Sequence, residues 1–423
     1  MIRRNAELGL IILALILAFG AYLLVDFAHS KTIPAGFFSY ALAATALSLG
    51  THLVVRRLAP NADPLFLPIG LLLSGLGYAM VRRLNPALGG PQLSWILLGA
   101  VAFVLTLALL RDARRVESFR YSLMLLGLAL LLVPLAPHIG RTVSGARLWI
   151  RVGPLNFQPA ELAKIFLAAF LAGYLASKRE VLTAATMKLG PWKIPAPRHF
   201  GPLILAWGIS LAVMVFERDL GSSMLFFALF VVMLYAATAR ASYVVTGVGL
   251  FAGGTVLAYH AFAHVQGRIQ AWIDPWSRIH TSGFQIAQSL FALGTGGIAG
   301  EGLARGRPDL IQRGVETDFI FSAFGEELGM IGALALLLLF AVLVARGFHI
   351  ALRARDPFVT LFATGLTFIV GFQTFLIVGG VTRLIPLTGI TLPFVSYGGS
   401  SILANFVLIA ILIRLSDSEA RTA

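Results

Sequence analysis

The sequence predicts an all-α polytopic membrane protein of about 12 transmembrane helices, and three observations carry that prediction. Of 423 residues, 58% are hydrophobic and only 12% are charged. The mean hydropathy is +0.86, beyond what a soluble domain tolerates. Apolar runs long enough to cross a hydrocarbon core of about 30 Å recur along the whole chain. They fall at 7–27, 36–55, 64–81, 93–110, 121–137, 161–176, 200–216, 221–238, 243–263, 320–345, 357–379 and 399–414. The first run follows Arg3 and Arg4 in the manner of a secretory signal. It is too long for one and lacks a small-residue cleavage site before Asp26, so it is expected to remain as the first helix. Cysteine is absent, which excludes disulfides, thiol catalysis and thiolate metal sites.

Basic residues set the expected orientation. With the N-terminus inside, the clusters at 111–120 and 178–198 fall on the cytoplasmic face, and both termini are expected to be cytoplasmic. Arg82 and Arg83 argue the other way and are outweighed. The outer loops nevertheless hold Arg141, Arg147, Arg151, Arg218, Arg268, Arg278, Arg305, Arg307, Arg313 and Arg383. Arginine offers a rigid, always-charged fork suited to phosphate oxygens, although lipid headgroups and loop carboxylates explain such residues equally well. The net charge of +14 matches an anionic inner leaflet and gives no case for nucleic acid, since no basic helix or soluble domain presents itself.

The chain reads as a single integral membrane domain, 1–423, with five helices in 1–137. One long loop, roughly 264–318, lies outside between helices 9 and 10. Within it, Gly283–Leu293 has helical apolar spacing but is too short to span, and is expected to be an interfacial or re-entrant helix. Gly294, Gly296, Gly297, Gly300, Gly302 and Gly306 then predict a flexible turn. Loops are also expected at 138–160 outside and 177–199 inside.

Polar groups stand at the outer ends of spans. Glu161 and Lys164 are three apart on one helix face and can neutralise each other. Asp219 opens the eighth span, where an Asp also serves as an N-cap. Asp318, in Glu316-Thr317-Asp318-Phe319, closes the long loop at the start of the tenth span, with Glu326 and Glu327 deeper in that span. A carboxylate at a membrane mouth is a functional-site hypothesis by default, although Asp318 too can cap a helix. The segment 380–401 holds Pro386, Pro393 and several glycines, which imply irregular backbone. Such backbone survives near a membrane only when buried in protein or lining a wet cavity, and its N–H groups and hydroxyls suit an anion.

These pieces resemble the SEDS family of shape, elongation, division and sporulation proteins. The matching stretches are SGARLWIRVGPLNFQPAELAKI (144–165), ERDLGSS (217–223), RIQAWIDPW (268–276), SGFQIAQSLFALGTGG (282–297), ETDFIFSAFGEELG (316–329) and PLTGITLPFVSYGGSS (386–401), giving a core at 138–415. The chain looks closest to the rod-shape branch, and five spans before the FQP motif resemble the twelve-helix actinobacterial members. The resemblance implies a glycosyltransferase that polymerises lipid II into peptidoglycan glycan strands at the outer face of the bacterial cytoplasmic membrane. It also implies a class B penicillin-binding transpeptidase as partner.

The resemblance makes Asp318 the base that deprotonates the acceptor sugar 4-hydroxyl. It places Glu161, Lys164, Asp219, Ser400 and Ser401 at further motif positions. Ala160, Arg218 and Glu316 depart from the common Ser, Pro and His. A second acid two residues from Asp318 can make it a better base or point away to solvent. The chemistry needs one base and cations for the departing diphosphate, for which Arg147, Arg151, Arg218, Arg268 and Arg383 are candidates. A divalent cation (Mg or Mn) beside Asp219 fits the chemistry, but no dedicated ligand cluster is visible, and the eight histidines are scattered. Asp274 and Asp309 are read as loop-structuring. Two rivals use the same outer cavity: a flippase for the lipid-linked precursor, and a noncatalytic scaffold for the transpeptidase. A flippase needs a hydrophilic path across the bilayer, whereas the acids here gather at outer ends.

Overall fold

The computed structural model describes residues 2–30, 36–112, 114–143, 146–153, 155–184, 187–189, 192–194, 201, 205, 207–212 and 219–422. Its helices are α1 (Ile2–Ser30), α2 (Phe37–Leu58), α3 (Phe66–Leu84), α4 (Gly89–Leu109), α5 (Arg114–Ser118), α6 (Arg120–Leu132), α7 (Ala160–Ala184), α8 (Leu220–Thr238), α9 (Ala241–Ala261), α10 (Ala263–Ile273), α11 (Phe284–Gly296), α12 (Ile320–Arg353), α13 (Pro357–Val381) and α14 (Gly399–Thr422). Among the described residues, nine helices are long and apolar enough to cross a membrane. Of the predicted spans outside those nine, 64–81 is the buried helix α3, and 121–137 is the shorter apolar stretch Arg120–Leu135. The third, 200–216, lies largely outside the described residues.

The chain divides into two compact units. One comprises Met1–Arg111, Ala258–Arg346 and Val370–Ala423, and the other Asp112–Leu257 and Gly347–Ile369. In the first, α1 shows how a span selects its faces. Ile11, Ala14, Ala18, Tyr22 and Val25 recur at helical spacing and are buried, with Ala18 against Gly75 of α3. Ile12, Leu13, Ile16, Leu17 and Leu24 point outward. Ala14 and Ala18 on the inner face allow close approach of the neighbouring helix, and large apolar residues face outward, as suits a helix bathed in lipid.

Charge inside this unit is paired. Buried Glu7 of α1 receives Arg4 and lies 2.7 Å from Nδ1 of His52 on α2. Arg346 donates to Asp63 at 2.6 Å. Arg82 pairs with Asp26 at 3.3 Å and lies 5.0 Å from the Tyr22 ring centroid, while Arg83 reaches Glu327 at 3.2 Å. The two arginines that argued against the expected orientation are thus compensated internally.

The tenth predicted span is not one straight helix. At Gly329 of α12 the backbone takes φ 66°, a conformation that strains any residue with a side chain. The break frees peptide groups on both sides, and the 297–302 loop takes them up. Met330 and Ile331 donate to the carbonyls of Gly297 and Ile298, and Glu301 and Gly302 donate to those of Glu326 and Glu327. Glu327 also accepts the Ala304 N–H at 2.8 Å, and Glu326 accepts that of Arg307 at 2.7 Å. Arg83 donates to the carbonyl of Gly306 at 3.1 Å. The glycine run expected as a flexible turn is therefore pinned, because two carboxylates and a broken helix supply the partners its backbone needs. The short helix expected at Gly283–Leu293, interfacial or re-entrant, is α11, joined to α12 by the Ser289 and Ser322 hydroxyls at 2.7 Å.

In the second unit, Leu128 and Leu131 of α6 pack on Ala160, Ala163 and Leu167 of α7 and Phe226 of α8. The predicted outer loop at 138–160 is instead a three-stranded antiparallel sheet, β1 (Gly140–Val143), β2 (Ala146–Val152) and β3 (Leu155–Phe157). Arg141 pairs with Trp149, and Ile150 with Phe157. The alternation of Arg147, Trp149 and Arg151 with Leu148 and Ile150 suits a strand with two unlike faces. The predicted inner loop, 177–199, contains the end of α7 and an antiparallel pair, β4 (Met187–Leu189) and β5 (Trp192–Ile194).

Glu327→Ala strands the Arg83 guanidinium inside the protein, and breaking a buried pair in this way costs about 3–5 kcal/mol. Thermal unfolding in detergent is expected to show a lowered midpoint, with partial recovery in the Arg83→Met, Glu327→Leu double variant. An unchanged midpoint in the single variant contradicts the pinning role.

Candidate active site around Asp318

The approach to Asp318 is a tight turn. The N–H groups of Thr317, Asp318 and Phe319 all converge on the carbonyl of Gly314, at 3.2, 2.9 and 3.2 Å. Phe319 is buried, and its carbonyl receives the first helical bonds, from Ser322 and Ala323. Asp318 therefore stands one residue ahead of the cap position of α12, at the mouth of the helix and only partly exposed.

Residues 382–398 form the irregular segment that the prolines and glycines predicted, and it braces this turn. Ser396 Oγ donates to the carbonyl of Thr317 at 2.5 Å and accepts the Leu392 N–H at 2.9 Å. The Tyr397 N–H donates to the carbonyl of Glu316 at 2.8 Å. Gln373 of α13 holds the carbonyl of Thr391 at 2.9 Å, and the Thr391 hydroxyl donates to Ser401 at 2.9 Å. Burial, and then the charge of Glu316, push the Tyr397 phenol above its ordinary pKa, so it stays neutral at physiological pH.

Arg268 comes from α10. Its Nη1 donates to the carbonyls of Leu387 and Thr388, at 3.2 and 2.8 Å. The next residue, Gly389, has φ +75°, and a Cβ built there would lie 3.5 Å from Arg268 Nη2 and 3.7 Å from Asp318 Oδ2. A guanidinium and a carboxylate thus approach one point of bare backbone. A base beside a fixed cation is what transfer of a phosphate-activated group requires.

The other sequence-predicted residues fall into different settings. Arg383, at φ 61°, donates Nε to the carbonyl of Trp272 at 2.8 Å and Nη2 to that of Ile273, and receives Trp272 Nε1 on its own carbonyl at 3.1 Å. It closes the C-terminal end of α10, where a cation also meets the negative end of the helix dipole. Ser400 and Ser401 are buried in the first turn of α14, and Ser401 Oγ accepts Asn405 Nδ2 at 3.2 Å as well as Thr391. Ser401 thus ties the start of α14 to the irregular segment.

In the second unit, Lys164 Nζ donates to Glu161 Oε2 at 2.6 Å, both side chains being buried, so the pairing expected from their spacing is present. Asp219 caps α8. One of its oxygens takes the Ser222 N–H at 2.9 Å and the other the Ser222 hydroxyl at 2.6 Å. Arg147 donates to the carbonyl of Ala136 at 2.8 Å, and Arg151 to that of Gly153 at 2.9 Å. Arg218 lies outside the described residues. Among the described residues no three His, Asp or Glu side chains gather as metal ligands. Both Asp219 oxygens are engaged by Ser222.

A family model described as "Cell cycle protein", covering FtsW, RodA and SpoVE, matches residues 76–421. The chain belongs to the FtsW/RodA/SpoVE family. Among its relatives, the "Peptidoglycan glycosyltransferase RodA" of Mycobacterium tuberculosis strain H37Rv is 45% identical over 431 residues, covering 99% of this chain and 92% of the relative. The protein of the same name from Mycobacterium leprae is 44% identical, covering 98% and 91%. The crystal structure of Thermus thermophilus rod shape determining protein RodA matches with a TM-score of 0.59 and 26% identity, over 84% of this chain and 96% of that one. The fold also matches, at 24% identity and a TM-score of 0.59, a chain from "Structural coordination of polymerization and crosslinking by a peptidoglycan synthase complex", covering 90% and 98%. The family match begins inside α3, so α1 and α2 precede it in this FtsW/RodA/SpoVE chain.

Reading the sequence passed over Gly389 as the point where Arg268 and Asp318 meet, and over Ser396 and Tyr397 as the brace of the turn. The signal that could have found them is the density of Pro, Gly and hydroxyl residues in 386–401. It also missed the Arg4–Glu7–His52 cluster, because Glu7 sits at the very start of the first apolar run.

Lys164→Met leaves the Glu161 carboxylate buried without its cation, which is expected to destabilise this FtsW/RodA/SpoVE protein by about 3–5 kcal/mol. A Glu161→Leu, Lys164→Met double variant is expected to regain most of that loss in thermal unfolding. Equal stability of single variant and parent would remove the pair from the structural framework.

Proposed function

We propose that this protein polymerises the lipid II disaccharide into peptidoglycan glycan strands at the outer face of the bacterial cytoplasmic membrane. The observation that carries the reading is the approach of Asp318 and Arg268 to the same point beside Gly389, in a chain 45% identical over nearly its full length to relatives named peptidoglycan glycosyltransferases.

Asp318 accepts the proton of the acceptor sugar 4-hydroxyl as that oxygen bonds to the anomeric carbon of the donor. The bond from that carbon to the diphosphate breaks, and the diphosphate leaves with the electron pair. No covalent enzyme intermediate is needed, because the leaving group is already in place. Arg268 neutralises charge growing on the diphosphate, and its own hold on residues 387–388 fixes it before substrate arrives, which is where electrostatic stabilisation is strongest.

The acids inside spans support a polymerase over a flippase. Glu327 and Glu7 are ion-paired and Glu326 accepts a backbone N–H, so they are occupied in holding the fold together. The basic clusters at 111–120 and 178–198 favour the orientation with both termini in the cytoplasm and Asp318 outside. We further assign a class B penicillin-binding transpeptidase as partner, since a chain of similar fold belongs to a complex described as coordinating polymerisation with crosslinking.

Purified protein supplied with lipid II and its transpeptidase is expected to yield glycan polymer. Asp318→Ala is expected to lose at least about 10²-fold in rate, the lower range for a general base, while still inserting and folding. Undiminished polymerisation by that variant removes the base assignment. Translocation of lipid II in proteoliposomes without polymer would favour transport instead.

A further inference from the structure

We infer that Ser396 is a positioning residue for Asp318, acting as the keystone of a hydrogen-bonded brace that sets the carboxylate at the mouth of α12. The inference rests on the reading of Asp318 as the base and adds a residue that acts on it through the backbone of Thr317.

The Ser396 hydroxyl stands between two stretches of irregular backbone. It donates to the carbonyl of Thr317, the residue immediately before Asp318, at 2.5 Å, and it accepts the Leu392 N–H at 2.9 Å. A hydroxyl has one proton to give and lone pairs to receive, so a single side chain links both segments. The neighbouring bond from the Tyr397 N–H to the carbonyl of Glu316, at 2.8 Å, is made by main chain and survives any substitution at 397 except proline. The bond from Ser396 depends on one oxygen.

Ser396 is itself immobilised. It is 2% exposed, and its segment is anchored to helices by Gln373 to the Thr391 carbonyl at 2.9 Å and by the Thr391 hydroxyl to Ser401 at 2.9 Å. On the far side of Gly389, Arg268 fixes the carbonyls of Leu387 and Thr388. Within the turn that bears Asp318, three N–H groups and the Thr317 hydroxyl share the Gly314 carbonyl. The 391–397 segment braces it from outside, through Ser396 and the Tyr397 N–H. Misplacing a catalytic group by about 1 Å lowers a rate by roughly 10²-fold without weakening substrate binding.

The test is steady-state polymerisation by purified parent, Ser396→Ala, Ser396→Thr and Asp318→Asn proteins, with thermal unfolding measured on each. Ser396→Ala is expected to lower kcat by about 10- to 100-fold, with KM for lipid II close to the parent value and a modest fall in the unfolding midpoint that leaves the protein folded at the assay temperature. Ser396→Thr, which keeps the hydroxyl, is expected to recover most of the lost kcat. A parental kcat in Ser396→Ala overturns the inference. So does a loss carried by KM, a loss explained by unfolding of Ser396→Ala at the assay temperature, or a Ser396→Thr protein that folds like the parent yet remains as slow as Ser396→Ala. Parental activity in Asp318→Asn would instead overturn the base assignment, whatever Ser396→Ala does, so the two failures read differently.

Discussion

Irregular backbone at a membrane mouth has no lipid-side partner for its peptide groups, so each must be satisfied by protein, and the 382–398 segment and the 314–318 turn depend on that constraint. The segment meets it by borrowing. Its carbonyls at Thr391, Leu387 and Thr388 take donors from Gln373 and Arg268, and its own N–H and hydroxyl groups at 396 and 397 reach the carbonyls of Thr317 and Glu316. Two stretches that would each be unstable alone thus complete one another. Because Asp318 lies between the braced turn and α12, satisfying the backbone and aiming the carboxylate become the same event.

The broken helix at Gly329 follows the same rule. A kink exposes carbonyls and N–H groups that a straight helix would keep to itself, and the 297–302 loop supplies partners to four of them. Glu326 and Glu327 then extend the repair to Ala304 and Arg307, and Arg83 neutralises one of them. Ion pairs of this kind add little net stability over apolar replacements, yet removing one partner is severe, which is why they fix register more than they strengthen the fold. The Arg4–Glu7–His52 cluster ties α1 to α2, ahead of the part of the chain that the family model covers.

Much of the fold was legible because lipid imposes a long, continuous signal. A span such as α1 or α13 needs about 20 apolar residues, and no competing structure explains such a run. The sheet at 140–157 was not legible as a sheet, since its strands are three to seven residues long and lie among glycines and a proline that read as loop. Helix α10 escaped for a different reason. It follows α9 after a single intervening residue, Phe262, so its polar residues looked like the start of a loop. At the site, Asp318 could be named from its cost at a membrane mouth, and the pairing of Glu161 with Lys164 from their spacing. The local role of Arg383 was not legible: only three-dimensional proximity shows that its Nε and Nη2 donate to the carbonyls of Trp272 and Ile273.

Position 316 shows how such a site separates what must be kept from what can vary. Glu316 contributes its carbonyl to the brace through Tyr397, and any residue at 316 would offer the same carbonyl. Its side-chain charge is felt at the Tyr397 phenol, where burial acts first and the carboxylate second to keep the proton in place. A histidine there would remove that second influence and leave the main-chain bond standing. The phenol would remain protonated, because desolvation alone already disfavours the phenolate. Whatever side chain stands at 316, the brace around Asp318 therefore keeps its main-chain bond to Tyr397.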